Sequence, residues 1–389
     1  AVEWIMWMVL GVSTGVTQGF SILISQHYGA RKWNDLKKAV AHSYLLTAIT
    51  AVSLLIVSQL AARWILMLLN TPDNIIGMSL IYLRIVFCGI PIVAAYNIFA
   101  SVLRALGNSR TPLIAMIIAA LINVILDLTF VAVLHWGVAG AALATVIGQF
   151  MGCLAGMVIN KKWNPEIPFA FTLKPDWVSV REIIKVGFPS TLVQILTSVV
   201  NMAMNAIIIT FSSTAVAAFG VCTKIQNITT VGVHGITNGL IPIVAYNYGA
   251  KQKERIRQSI RYGILYGGGL FLIFFAVLEF CPGVVLKLFD ASDNLMRIGV
   301  PALRILAVAY LLSIPGLIYQ AALQGLSLGK ESMYISMTRQ AILPLVFAFL
   351  LKGFGNLNLI WGAFVLAELC GIPLAMMLWK RKGEKQIQF

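Results

Sequence analysis

The feature that most constrains this chain is its run of apolar blocks, separated by short polar stretches. Each block reaches the roughly 20 residues that cross a hydrocarbon core of about 30 Å at about 1.5 Å of helical rise per residue. The spacing predicts helices over residues 1–25, 41–69, 78–103, 111–134, 137–159, 183–211, 215–247, 259–288, 298–326, 332–352 and 357–380. Only 11% of the residues are charged, against roughly a quarter in domains whose surfaces face water. The alternation of roughly ten-residue strands that marks a membrane barrel is missing. The expected fold is an all-α integral membrane protein with lipid as its solvent.

A net charge of +15 would suit a nucleic-acid partner if the basic residues formed one patch, but they crowd every second loop instead. Arg31, Lys32, Lys37 and Lys38 form one group, Lys161 to Lys185 another, Lys251 to Arg261 a third, and Lys380 to Lys385 the last. The intervening connections carry few. By the positive-inside rule the basic loops and the C-terminus are cytoplasmic. The expectation is a multi-pass protein of the cell (plasma) membrane, with the lipid bilayer and no nucleic acid as its partner. Cys88, Cys153, Cys222, Cys281 and Cys370 lie singly, without CxxC spacing, and read as packing residues or free thiols.

The chain repeats itself. Gly15-Val-Thr-Gln-Gly19 and His27-Tyr-Gly-Ala-Arg31 return, 220 residues on, as Gly235-Ile-Thr-Asn-Gly239 and Asn247-Tyr-Gly-Ala-Lys251. The same offset carries Leu83-Arg84-Ile85 onto Leu303-Arg304-Ile305. The matched helices are the first and the seventh, six places apart, so the copies run parallel, which implies a pseudo-two-fold axis along the membrane normal. The expected architecture is two pseudo-symmetric helical bundles in a parallel 6+6 repeat: residues 1–159, a Pro-rich linker at 160–182, and residues 183–389. The helix at 183–211 has no counterpart ahead of Ala1, so eleven helices are expected here, with a twelfth, preceding helix missing from this sequence.

Gln26-His-Tyr-Gly-Ala-Arg31, Tyr246-Asn-Tyr-Gly-Ala-Lys251, Asn123-Val-Ile-Leu-Asp127 and Gly137-Val-Ala-Gly-Ala-Ala-Leu-Ala-Thr145 resemble the multidrug and toxic compound extrusion (MATE) family over essentially the whole chain. The resemblance implies a two-lobe secondary transporter, not an enzyme. Such a transporter exchanges H+ or Na+ for small organic, often cationic, substrates by alternating access; it uses no cofactor, and a monomer is expected. The helix at 183–211 offers Gln194, Asn201 and Asn205 but no carboxylate, which places the resemblance on the DinF-like side of the family.

Individual residues point to a site without the family. Asn123 and Asp127 are four apart and share a helix face. Asp127 and Thr145 are each nine residues from the Trp136 hairpin, and Asn123 and Gln149 each thirteen, giving levels about 13 and 20 Å from that turn. An ionised Asp at such depth costs about 3 kcal/mol and marks a cavity or a partner. Oxygens of a carboxylate, an amide and a hydroxyl suit a hard cation such as Na+, and a desolvated carboxyl suits a proton. Glu368, at a depth comparable to Lys224, is the second candidate, and the two are expected to pair. Asn201 and Asn205 are further cavity-lining candidates.

Pro91 and Pro315 recur at matched positions and are candidate helix bends. Arg339 is expected to snorkel toward the cytoplasmic end of its helix. Arg84 and Arg304 read as anchors, and Asp73 and Asp293 as helix N-caps. No HExxH or comparable spacing suggests a resident metal, apart from Na+ at Asp127. The alternatives are a flippase for lipid-linked oligosaccharides, which needs basic residues in its cavity, and an intramembrane enzyme, which needs clustered catalytic groups.

Overall fold

The computed structural model describes residues 17, 19–68, 73–163 and 177–389. All regular structure among them is helical. The helices are α1 (residues 19–29), α2 (Trp33–Leu68), α3 (Asp73–Cys88), α4 (Ile90–Ala105), α5 (Arg110–Asp127), α6 (Gly137–Trp163), α7 (Trp177–Ile208) and α8 (Ser213–Gly249). After them come α9 (Lys253–Phe280), α10 (Pro282–Lys287), α11 (Asp293–Gly325), α12 (Gly329–Met337), α13 (Leu343–Lys352), α14 (Leu357–Leu378) and α15 (Glu384–Gln386). Wider π-helical turns extend α5 through Leu128–Val133, join α12 to α13 through Thr338–Ile342, and follow α14 at Trp379–Gly383.

Eight of these helices are long and apolar enough to cross a membrane, and nine with the bent pair α3–α4. The side chains agree: Leu121, Val124, Ile125 and Leu128 make an exposed apolar stripe along α5 and its extension, a face that suits hydrocarbon. The expected fold class is the one observed.

The helices run further into polar sequence than the apolar blocks do. α2 begins at Trp33 and takes in Asp35, Lys37 and Lys38, because lysine and its neighbours are adequate helix formers once a turn is nucleated. Helix also occupies residues 160–163 and 177–182 of the expected linker, and residues 164–176 lie outside the described residues. The helix expected through residue 288 stops at Phe280, and a short helix opens at Pro282, where proline suits a first turn. The cap of α11 is Ser292, whose hydroxyl accepts from Leu295 N at 3.4 Å, so Asp293 sits in the first turn and is not the cap.

The repeat is written into the backbone. Arg31 and Lys251 both adopt left-handed φ, 55° and 57°, and so do Gly107 and Ser327, at 89° and 61°. Each ends a helix with the same double closure: Lys32 N to His27 O at 3.0 Å and Arg31 N to Tyr28 O at 3.1 Å in one copy, Gln252 N to Asn247 O at 2.8 Å and Lys251 N to Tyr248 O at 3.0 Å in the other. These are Schellman closures, which satisfy the last carbonyls of a helix.

The chain divides into two compact units, Ala1–Thr191 and Leu192–Phe389, with the division inside α7. In the first, α1, α2 and α4 enclose Phe20, Ile24, Val40 and Val102, and α2, α3 and α4 enclose Leu66, Leu83 and Phe87. In the second, α11 packs against α8, α9 and α14. The helix pair α3–α4 bends by 41° at Gly89, two residues before Pro91. The repeat-related α11 passes Pro315 unbroken.

Candidate functional site

α5 and α6 touch along a stripe of small residues. A Cβ on Gly148 would meet Asn123 Cβ at 2.9 Å, one on Gly152 would meet Ala119 Cβ at 2.5 Å, and one on Gly156 would lie 3.1 Å from Ala115 Cβ. Only glycine allows backbones this close, the small-xxx-small device of membrane helices. The contact fixes the register: Gly148 faces Asn123, so one turn along, Asp127 stands opposite Ala144, next to Thr145. Asn123 and Gln149 occupy the next level.

Asp127 is the last α-helical residue before the π-helical turns, and π-bulges free backbone groups from the regular ladder. Asp127 Oδ1 and Asn123 Nδ2 are both buried without a hydrogen-bond partner among the described residues. A buried polar atom left so costs about 1–3 kcal/mol. Thr145 Oγ1 donates to Ala141 O at 3.0 Å, which leaves its lone pairs free to accept a cation. Tyr82 on α3, which the sequence did not single out, lies within electrostatic reach of Asp127. The candidate groups are thus the Asp127 carboxylate and the Asn123 amide, each with a buried unpartnered atom, and the Thr145 hydroxyl on the facing helix.

The second unit departs from expectation. Glu368 pairs with Arg339 and not with Lys224: Arg339 Nε reaches Glu368 Oε2 at 2.7 Å and Nη2 reaches Oε1 at 3.0 Å. The Arg339 side chain is 1% exposed and does not snorkel. It sits in the π-helical turns between α12 and α13, donates also to Ser313 O at 3.1 Å, and lies against Gly316 of α11 and Gly371 of α14. Two glycines make the room, and α14, which carries one of them, also supplies the acid. An intramembrane arginine seeks a carboxylate, but nothing in the sequence chose Arg339 over Lys224 as the partner of Glu368. Arg339 Nη1, Tyr310 Oη and Trp361 Nε1 remain buried without partners among the described residues. Lys224 is exposed on α8, and Asn201 and Asn205 are half-buried, one turn apart on α7. The side chain of Gln194 lies outside the described residues.

The chain matches the MatE family model over residues 1–129 and 189–350. It is 27% identical over 395 residues to the probable multidrug resistance protein YoeA of Bacillus subtilis (strain 168), covering 97% of this chain and 85% of that one. It is 23% identical over 373 residues to the multidrug export protein MepA of Staphylococcus aureus (strain MSSA476), covering 96% and 82%. Among solved structures it is similar to an outward-facing multidrug resistance MATE family transporter of the MOP superfamily, with a TM-score of 0.92 at 22% identity over 99% of this chain and 87% of that one.

Proposed function

The chain belongs to the MatE family of membrane transporters, and from that premise we propose that it is a multidrug exporter that exchanges small organic cations for H+ or Na+ held at Asp127. It is a transporter and not an enzyme. The observation that carries the coupling site is the pair of unpartnered buried atoms, Asp127 Oδ1 and Asn123 Nδ2, one helical turn apart. An exchanger needs a carboxyl that binds its cation in one facing state and releases it in the other, because a ligand shifts an equilibrium only through differential affinity. Asp127 has the unused valence for that. Glu368 has both oxygens engaged by Arg339 and is a counter-ion.

The flippase reading has less support: it needs several basic residues in the cavity, Arg339 is engaged by Glu368, and Lys224 is the one candidate that the sequence offered. Alternating access through the two repeat units, a cytoplasmic C-terminus and a monomeric state complete the proposal.

The test is ethidium efflux in everted vesicles, energised separately by a pH gradient and by a sodium gradient. One gradient should drive transport in the native protein, and Asp127→Asn should abolish it while expression and melting temperature hold. Uphill accumulation by the Asn variant would remove Asp127 from the coupling role.

A further inference from the structure

The repeat pairs two arginines whose neighbours differ. Gln59 and Arg84 of the first copy correspond, 220 residues on, to Glu279 and Arg304 of the second. In the second copy Arg304 has an acid beside it: its Nε donates to Glu279 O at 3.1 Å and lies 3.9 Å from Glu279 Oε1. In the first copy the acid is replaced by an amide. Gln59 Nε2 donates to Arg84 O at 2.9 Å and contacts Cys88 Sγ at 3.2 Å, so it holds the α2–α3 crossing but carries no charge. Among the described residues Arg84 forms no ion pair.

Arg84 borders a groove of about 630 Å³ between α2 and α3, walled by Leu55, Ile56, Leu60 and Ile85. The α2 side of this region turns apolar groups outward: Ile56, Leu60 and Trp64 are all exposed. Arg63, also exposed, lies one turn from Gln59 on the same helix face. Arg84 stands eleven residues into α3, about 16 Å from its Asp73 end, and its Cα–Cβ bond tilts back toward that end. A guanidinium at that depth is costly in hydrocarbon and is relieved by snorkelling together with local thinning of the bilayer, which brings a headgroup down to it.

We propose that this groove is a binding site for one anionic phospholipid, its phosphate on Arg84 with Arg63 close by, and an acyl chain along Leu55, Ile56, Leu60 and Ile85. Guanidinium matches phosphate in bidentate fashion, and the lipid supplies the charge that Glu279 supplies in the other copy. The apolar wall is what a free anion would not use.

Native mass spectrometry of the purified chain in detergent tests this, with phosphatidylglycerol compared with phosphatidylcholine of the same acyl chains. The native chain should hold one phosphatidylglycerol about tenfold more tightly, the scale of one charge-assisted hydrogen bond. Arg84→Gln should bring the two lipids level. So should Gln59→Glu, which keeps Arg84 and gives the first copy the acid of the second; because it also removes the Gln59 donation to Arg84 O, it is read only in protein that melts like the native chain. Arg304→Gln should leave the preference unchanged. Equal binding of both lipids by the native chain, or a preference that survives Gln59→Glu, overturns the site. Displacement of phosphatidylglycerol by inorganic phosphate at equal concentration overturns the lipid assignment in favour of a free-anion site.

Discussion

At the scale of single residues, the two half-buried carboxylates Asp127 and Glu368 behave as opposites. Glu368 is held by two charged hydrogen bonds to Arg339, whereas Asp127 keeps a buried oxygen without a partner. Removing one member of a buried pair strands the other and costs about 3–5 kcal/mol, while replacing both by apolar groups of similar volume is often neutral. Glu368→Ala should therefore lower the melting temperature sharply, and Arg339→Met combined with Glu368→Leu should recover most of it. If Glu368→Ala melts like the native protein, the pair holds nothing together. Thr145→Ala should be milder than Asp127→Asn in the efflux assay, since it removes one neutral oxygen and leaves the carboxylate in place; equal loss from both would make Thr145 as indispensable as the acid. The depth of Asp127 was legible in the sequence because it can be counted from the Trp136 hairpin. The Arg339–Glu368 pair was not, because depth alone could not choose between Lys224 and Arg339 as the partner. That choice was made by Gly316 and Gly371, which open space for a guanidinium only where three helices meet.

At the scale of helices, the apolar blocks located the spans but not their ends. Hydropathy falls where side chains leave the lipid, yet hydrogen bonding continues, so α2 and α9 take in lysines and arginines in their first turns, directly after the Schellman closures that end α1 and α8. The closures themselves were half-legible. The repeated His/Asn-Tyr-Gly-Ala-Arg/Lys runs were visible, but the glycines within them are not the residues that turn: Arg31 and Lys251 take the left-handed position. An L-residue there gives up about 1–2 kcal/mol that glycine does not, partly offset by glycine's larger entropy in the unfolded chain. Lys251→Gly should thus raise stability by up to about 1 kcal/mol, read as a higher melting temperature in detergent. A lower melting temperature would mean that the Lys251 side chain makes a contact worth more than the strain.

At the scale of the whole molecule, the parallel repeat and the charge of the loops have to agree on one orientation. Corresponding loops of parallel copies lie on the same side of the membrane, and the connections ahead of α2 and α9, taken with the first turns of those helices (Arg31 to Lys38 and Lys251 to Arg261), are a repeat-matched pair dense in positive charge. Helix termini support the pairing independently, because Arg31 and Lys251 close α1 and α8 with the same backbone geometry. Both loops should then face the cytoplasm, where positive charge is retained during insertion. The connection between α13 and α14, with Gly355 in a left-handed turn and Asn356 capping α14, should face outside. Replacing the five native cysteines and placing single ones at Asn34, Gln252 or Asn356 makes the prediction measurable with a membrane-impermeant maleimide on intact cells. Asn356→Cys should label, while Asn34→Cys and Gln252→Cys should label only after the membrane is opened. Labelling of Asn34→Cys but not Gln252→Cys from outside would mean that the copies are inverted and not parallel, and the proposed pseudo-two-fold exchange mechanism would fall with it.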